Sequence, residues 1–378
     1  MVRKSRKLSE RTSMSSAKDS NVLEKSRLGP SWINSFEVDA LRTPRWLCGR
    51  HLQTSYAFLC RRSEPISYTR QVLESADGDF IDIDLTTQQP GAPLIIACHG
   101  LEGSSRSKYM LRLMSRGLRE GFNGIAVNHR TCGRPLGQTI RTYHYGFIDD
   151  LDQVVRVAAA REPTRPIVVV GYSLGGSIVA NWLGRCSSTM PSNVCGAATV
   201  SAPLIASRDS HCLDIGLRFY GRFFLRTMKR KAKLLIDQNK VVGQDGLDIE
   251  AISKARTMED FEKCYTAPAH GFSDLESYYR GVSPAPWINS ISVPTLMLHA
   301  SDDPVILSDK LPMQELGAMP TICLSMTKRG GHVGFVSRDQ KQWLENQLFR
   351  WFRKCLANVS TKRNGQGEVA SVNKRCES

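Results

Sequence analysis

Short apolar runs, spaced by polar and helical stretches, set the pattern of this chain. Gln71-Val72-Leu73 and Phe80-Ile81-Asp82-Ile83-Asp84-Leu85 alternate apolar with polar on either side of Asp77-Gly78. A period of two broken by an Asp-Gly pair predicts a hairpin, as at an antiparallel edge. From Leu94 onward the runs become continuous: 94–98, 125–129, 167–170, 197–201, 295–299 and 321–326. Runs without polar alternation predict strands buried on both faces, the mark of parallel pairing. Helical patterns separate them over 108–120 and 147–160, and again after residue 173. Strand alternating with helix predicts an α/β fold, a mostly parallel central sheet with helices on both faces. The alternation lapses between Pro203 and Pro294, which places an inserted helical cap at about 204–290 within one domain spanning 31–358.

The candidate chemistry falls at the ends of these strands. The run 167–170 leads into Gly171-Tyr172-Ser173-Leu174-Gly175-Gly176 and then a helical pattern. Gly-x-Ser-x-Gly between a buried strand and a helix predicts a sharp turn that lifts the serine hydroxyl above the sheet. The helix N-terminus that follows favours a developing oxyanion. A serine nucleophile needs a base, and the base needs an orienting carboxylate. The strand at 295–299 runs into Ala300-Ser301-Asp302-Asp303-Pro304, and loops past the carboxyl ends of parallel strands collect active-site groups. Asp303, next to the proline, is read as the carboxylate, with Asp302 as the alternative. Gly330-Gly331-His332-Val333-Gly334-Phe335 follows the last strand. There His332 could donate from Nδ1 to Asp303 and take the Ser173 proton at Nε2. Upstream, His99-Gly100-Leu101-Glu102-Gly103 follows the strand at 94–98. This loop offers the backbone N–H of Leu101, beside that of Leu174, as an oxyanion hole. His99 is read as structural, holding that loop. Ser173, Asp303 and His332 occur in the order Ser, Asp, His, and together predict acyl transfer through an acyl-enzyme.

Further segments carry a family resemblance. They are Trp46-Leu47-Cys48-Gly49-Arg50-His51-Leu52-Gln53-Thr54, Asn128-His129-Arg130-Thr131-Cys132-Gly133, Thr142-Tyr143-His144-Tyr145-Gly146 and Ala267-Pro268-Ala269-His270-Gly271-Phe272. With the motifs above, they resemble the YheT/EMB8-like branch of the α/β-hydrolase superfamily, which includes the ABHD1/2/3-type proteins. The resemblance covers roughly 46–352. It implies the α/β-hydrolase fold and carboxylesterase or lipase activity on acyl esters, with acylglycerols or phospholipids as substrates of some members. It also implies ester synthesis by acyl transfer to alcohols in others. The matching triad positions are Ser173, Asp303 and His332. Many animal members carry an N-terminal membrane anchor, and this chain has no apolar run of the ~18–20 residues that a span requires.

Composition narrows the field. Eleven cysteines among 378 residues, scattered without C-x-x-C spacing, argue against a disulfide framework or a zinc site and for a reducing compartment. Cys98 and Cys132 lie near the candidate site and are read as packing. No secretory signal opens the chain, so the expected location is cytoplasmic, with peripheral contact to an anionic membrane left open. The formal net charge of +15 lies partly in two polar tails, 1–30 and 359–378, both expected to be disordered. No nucleic-acid motif accompanies the charge. Within the cap, Arg218, Arg222, Arg226, Arg230 and Lys233 recur at helical spacing beside Phe219, Phe223, Phe224, Leu225 and Met228. That stripe fits either a helix resting on anionic lipid or one packing its aromatics on the core with its basic face solvated. His144 and Asp149 share a His-x-x-x-x-Asp spacing that a second acyltransferase dyad could use, although His144 and His270 fit better as residues that order the pocket. The sequence thus points to a serine hydrolase of carboxylic esters, lipid-like ones above all, with no metal or organic cofactor. An ester-forming acyltransferase using the same triad, and a non-catalytic ligand-binding protein of the same fold, are its rivals.

Overall fold

The computed structural model describes residues 30–373 except 48, 64, 135–136, 208–217 and 240–246, and leaves aside the side chains of 218–220 and 360–373. The expected N-terminal tail, save Pro30, lies outside the described residues.

Eight strands form one sheet. They are β1 (Thr69–Glu74), β2 (Phe80–Leu85), β3 (Leu94–Cys98), β4 (Asn123–Asn128), β5 (Ile167–Tyr172), β6 (Val194–Val200), β7 (Thr295–Ala300) and β8 (Ile322–Thr327), in the order β1-β2-β4-β3-β5-β6-β7-β8. The hairpin read from Asp77-Gly78 is the antiparallel edge: β1 pairs with β2 and β2 with β4, both antiparallel. Every pairing from β4 onward is parallel. Parallel neighbours need crossover helices, and these cover both faces.

Alternation along each buried strand then feeds two cores. Ile95, Ala97, Val168, Val170, Leu296 and Leu298 face one layer, while Ile96, Cys98, Ile167, Val169, Ala197 and Met297 face the other. The first layer is closed by α2 (Lys108–Arg119) and by the C-terminal helix α7 (Trp343–Asn373), through Met110, Leu113, Leu344, Phe349 and Phe352. The second is closed by α3 (Asp149–Arg161) and α4 (Leu174–Arg185), through Leu151, Val155, Ile178 and Trp182. The loop Asn128–Gly133 is held by a buried charge network. Arg130 donates to Asp77 at 2.7 Å and to Asp150 at 2.8 Å, and its guanidinium lies 4.5 Å from the Phe147 ring centroid.

Between β6 and β7 the chain leaves the sheet and forms helices, among them α5 (Arg218–Asn239) and α6 (Leu275–Val282). These have an apolar cluster of their own around Leu225, Ile236, Met258 and Phe261. Helix α1 (Arg50–Leu59) precedes the sheet in the chain. One departure from the sequence reading is at the C-terminus. The backbone of α7 stays helical to Asn373, where a disordered tail was expected from 359. The expectation rested on lost apolar periodicity, but a helix nucleated by packing from Trp343 to Val359 can extend without it, because elongation is far easier than nucleation.

Candidate active site

The sharp turn read from Gly-x-Ser-x-Gly sits between β5 and α4. Ser173 adopts φ 52°, ψ −123°, a left-handed backbone that costs a non-glycine residue on the order of 1–3 kcal/mol. The surroundings hold it there. A Cβ added at Gly171 would collide with the Gly175 carbonyl oxygen, and one at Gly175 with that of His99. The Ser173 N–H donates to the Val200 carbonyl at 2.8 Å, and its own carbonyl accepts from Gly176 at 2.8 Å. The hydroxyl is therefore fixed at the carboxyl edge of the sheet, on the first turn of α4.

Two loops bring its partners. Ser173 Oγ lies 2.8 Å from His332 Nε2, and His332 Nδ1 lies 2.9 Å from Asp303 Oδ2. Asp303 is 1% exposed. Its second oxygen accepts from the N–H groups of Val305 at 2.8 Å and Ile306 at 2.9 Å. Burial pushes this carboxyl up, but the adjoining His332 charge and hydrogen bond, with His299 and the Ile306 N–H, outweigh it and hold it below its usual value. An ionised Asp303 requires the proton on His332 Nδ1, which leaves Nε2 to accept from the serine. Asp302, the alternative, turns away and accepts from the Gly331 N–H at 2.9 Å.

The upstream loop is held by His99. Its Nε2 accepts from the His129 N–H at 3.1 Å, so Nδ1 carries the proton and donates to the Gly100 carbonyl at 2.7 Å. Burial, followed by the neighbouring His129, keeps its pKa well below the ordinary histidine value. Among the described residues the N–H groups of Leu101 and Leu174 donate to no protein acceptor. Both residues line a cavity of about 430 Å³ that also reaches Ser173 and His332. Phe58, Tyr145, Phe224, Ile306 and Val333 give it a largely apolar wall. Among the described residues, the single carboxylate lining it is Glu102, in an ion pair with Lys231 of α5 at 2.9 Å.

Several residues that position the site have no assigned role in the sequence reading. Thr54 Oγ1 accepts from the His332 N–H at 2.9 Å, Gln53 Oε1 accepts from Val336, and Arg61 donates to the Gly334 carbonyl at 3.1 Å. Ser201 Oγ accepts from the Val333 N–H at 3.1 Å. Gln53 and Thr54 of α1 therefore clamp the histidine loop, and the presence of their string in the resemblance was the available signal. Conversely, His144 and Asp149 do not come together. His144 Nδ1 accepts from the Gly146 N–H at 3.1 Å, and its ring sits 4.4 Å from that of His270. Cys98 and Cys132 are raised by burial, to about 12 and about 11, and remain thiols. The α5 stripe does not pack all its aromatics: Phe223 is 61% exposed, whereas Lys231 turns inward to Glu102.

A strained serine on a strand-to-helix turn, an Asp-His pair reaching it from later loops and a parallel sheet beneath them define an α/β-hydrolase. The family described as serine aminopeptidase, S33, matches residues 89–316, and the chain belongs to it, in the branch of YheT, ABHD3 and EMB8. It is 32% identical to the putative esterase YheT of Escherichia coli over 85% of this chain and 96% of that protein. It is 27% identical to human phospholipase ABHD3 over 72% of this chain and 68% of that protein. Among solved structures, the Pyrococcus furiosus esterase Pf2001 shares the fold at a TM-score of 0.50 and 14% identity, over 84% of this chain and 97% of that one. No helix among the described residues is long and apolar enough to cross a membrane.

Proposed function

We propose that this protein hydrolyses carboxylic esters with apolar acyl groups, using Ser173 as nucleophile, His332 as general base and acid, and Asp303 as its orienting carboxylate. The enzyme class, carboxylic ester hydrolase, follows from the family and its named esterase and phospholipase relatives; the residues and the substrate preference are our reading. The observation that carries it is the unbroken hydrogen-bond chain Asp303–His332–Ser173 opening on a cavity with an apolar wall. Ser173 Oγ attacks the ester carbonyl carbon while His332 Nε2 takes its proton. The carbonyl oxygen gathers the charge and accepts from the N–H groups of Leu101 and Leu174. Collapse expels the alcohol, which takes the proton back from His332, and water then releases the acid by the same steps. The helices between β6 and β7 act as the cap that closes the acyl cavity, with Phe224 against it.

The aminopeptidase chemistry in the family's description fits this cavity less well. A free α-amine wants an unpaired carboxylate, and Glu102 is already engaged by Lys231. Fluorophosphonate labelling of wild type beside Ser173→Ala, followed by hydrolysis of p-nitrophenyl esters against aminoacyl p-nitroanilides, tests the assignment. We expect labelling that vanishes in the variant, ester turnover that rises with acyl length, and no anilide turnover. A folded wild type that neither labels nor turns over ester would sink the proposal, and faster anilide than ester cleavage would replace the substrate class.

A further inference from the structure

Among the described residues, five large apolar side chains are more than half exposed: four lie on or just before α1, and one on α5. Trp46, Leu52, Phe58 and Leu59 are 63%, 54%, 58% and 64% exposed, and Phe223 is 61% exposed. Phe58 and Phe223 both line the active-site cavity, from α1 and α5 respectively. Leu59 follows Phe58 directly in the chain. Leu52 and Leu59, seven positions apart, share one face of α1, while Trp46 packs edge-on against Tyr56 of the same helix at 5.1 Å. Scattered exposed apolar residues need no explanation, but four of them on and just before one short helix whose Phe58 reaches a cavity mark an interaction surface.

The charge around the patch selects the partner. Residues 45–63 hold four arginines and no Asp or Glu, and residues 222–236 hold six Lys or Arg and again no acidic residue. Arg50, Arg62, Arg106, Arg222 and Arg226 are exposed. None of these five meets a carboxylate among the described residues. Arg222 and Arg226 flank Phe223 on α5, and Arg106 lines the cavity beside Phe58. Exposed Trp, Phe and Leu on elements that also carry exposed arginines without carboxylate partners is the composition of a surface that lies in a lipid interface, with apolar tips among acyl chains and cations at anionic head groups.

We infer that α1 and the first turns of α5 dock this protein on an anionic lipid surface, with the cavity mouth facing the bilayer, so that an acyl chain passes from lipid to Ser173 without crossing water. Docking itself is independent of catalysis; only what enters the cavity rests on the ester-hydrolase reading. The exposure of Leu52 and Leu59 on α1 carries the inference past the basic stripe of α5 alone.

Sedimentation of the full chain with phosphatidylcholine vesicles, with and without phosphatidylserine, tests it, using Ser173→Ala to keep the lipid intact. We expect binding to phosphatidylserine-containing vesicles at least about tenfold tighter than to phosphatidylcholine alone. Trp46→Ser, Leu52→Ser and Leu59→Ser combined, none of which lines the cavity, should reduce binding by about tenfold or more. In the active background they should leave turnover of a water-soluble p-nitrophenyl ester unchanged and lower turnover of the same ester presented in vesicles. A thermal melt matching wild type establishes that the triple variant is folded. Vesicle binding that is equal in wild type and variant would overturn the proposal. So would a wild type that ignores vesicles, whether it sediments as a dimer (a second copy covers the patch) or binds only after residues 1–29 are removed (the chain's own N-terminus covers it). Failure of the esterase reading would appear separately, as absent turnover of the soluble ester.

Discussion

Two histidine-bearing glycine loops flank Ser173, and they do opposite things with the same side chain. His99 and His332 each follow a parallel strand at the carboxyl edge of the sheet. His99 is fully buried, and both its nitrogens bond backbone groups, Gly100 O on one side and His129 N on the other. His332 also uses both nitrogens, but on side chains, Asp303 and Ser173. The first ring is a brace that fixes a loop. The second, on the proposed function, is a carrier that accepts a proton and passes it on. Residue type and neighbouring glycines are alike in the two places, so the role is set by what each nitrogen faces.

The sharpest way to break this comparison is at the carboxylates. Asp303→Asn should lower kcat/KM for a p-nitrophenyl ester by about 10⁴-fold, because the amide no longer holds the tautomer that leaves Nε2 free. Asp302→Asn, which touches only the Gly331 N–H, should change it by less than about tenfold. Equal losses in the two would show that the carboxylates have been assigned to the wrong histidine contact. A smaller effect separates brace from carrier. His99→Ala should cost about 2–4 kcal/mol of stability, read by urea unfolding, since it strands buried groups at Gly100 and His129. His332→Ala should leave the unfolding midpoint near wild type while abolishing turnover.

Acid sharpens the contrast further. His129, packed on His99, and His270 are both pushed by burial down to about 4, from an ordinary 6.5. Between those values the unfolded chain binds protons that the native state refuses. Stability should therefore fall as pH drops through that window and stay level above it. Thermal melts from neutral pH down to about 4 check this, and a melting temperature that is flat across the window would count against the buried neutral rings.

Local patterns made the catalytic pieces legible. The continuous run Ile167–Val170 beside Gly171 and Gly175 predicts both strand and turn, and the Asp303-Pro304 and Gly330–Phe335 segments announce loops. What stayed out of reach depends on contacts across the fold. Thr54 meets the His332 N–H from 278 positions away, and no spacing rule connects them. The Arg130 network likewise joins Asp77 to Asp150 through tertiary proximity. The His144–Asp149 spacing misleads for the same reason. It counts residues along one segment, whereas His144 is oriented by Gly146 and packs on His270. Where α7 ends was illegible too, because apolar packing reaches only Cys355, Leu356 and Val359, and the helix continues past them without apolar periodicity.

The backbone of Ser173 has a consequence for how this lineage could change. A serine in the left-handed region sits where glycine would rest without strain. On the proposed function, the position is thus held by the hydroxyl's use, against the chain's own conformational preference. Any descendant released from turnover would gain stability by exchanging that serine for glycine. On that reading, a serine kept there records continued demand for its oxygen.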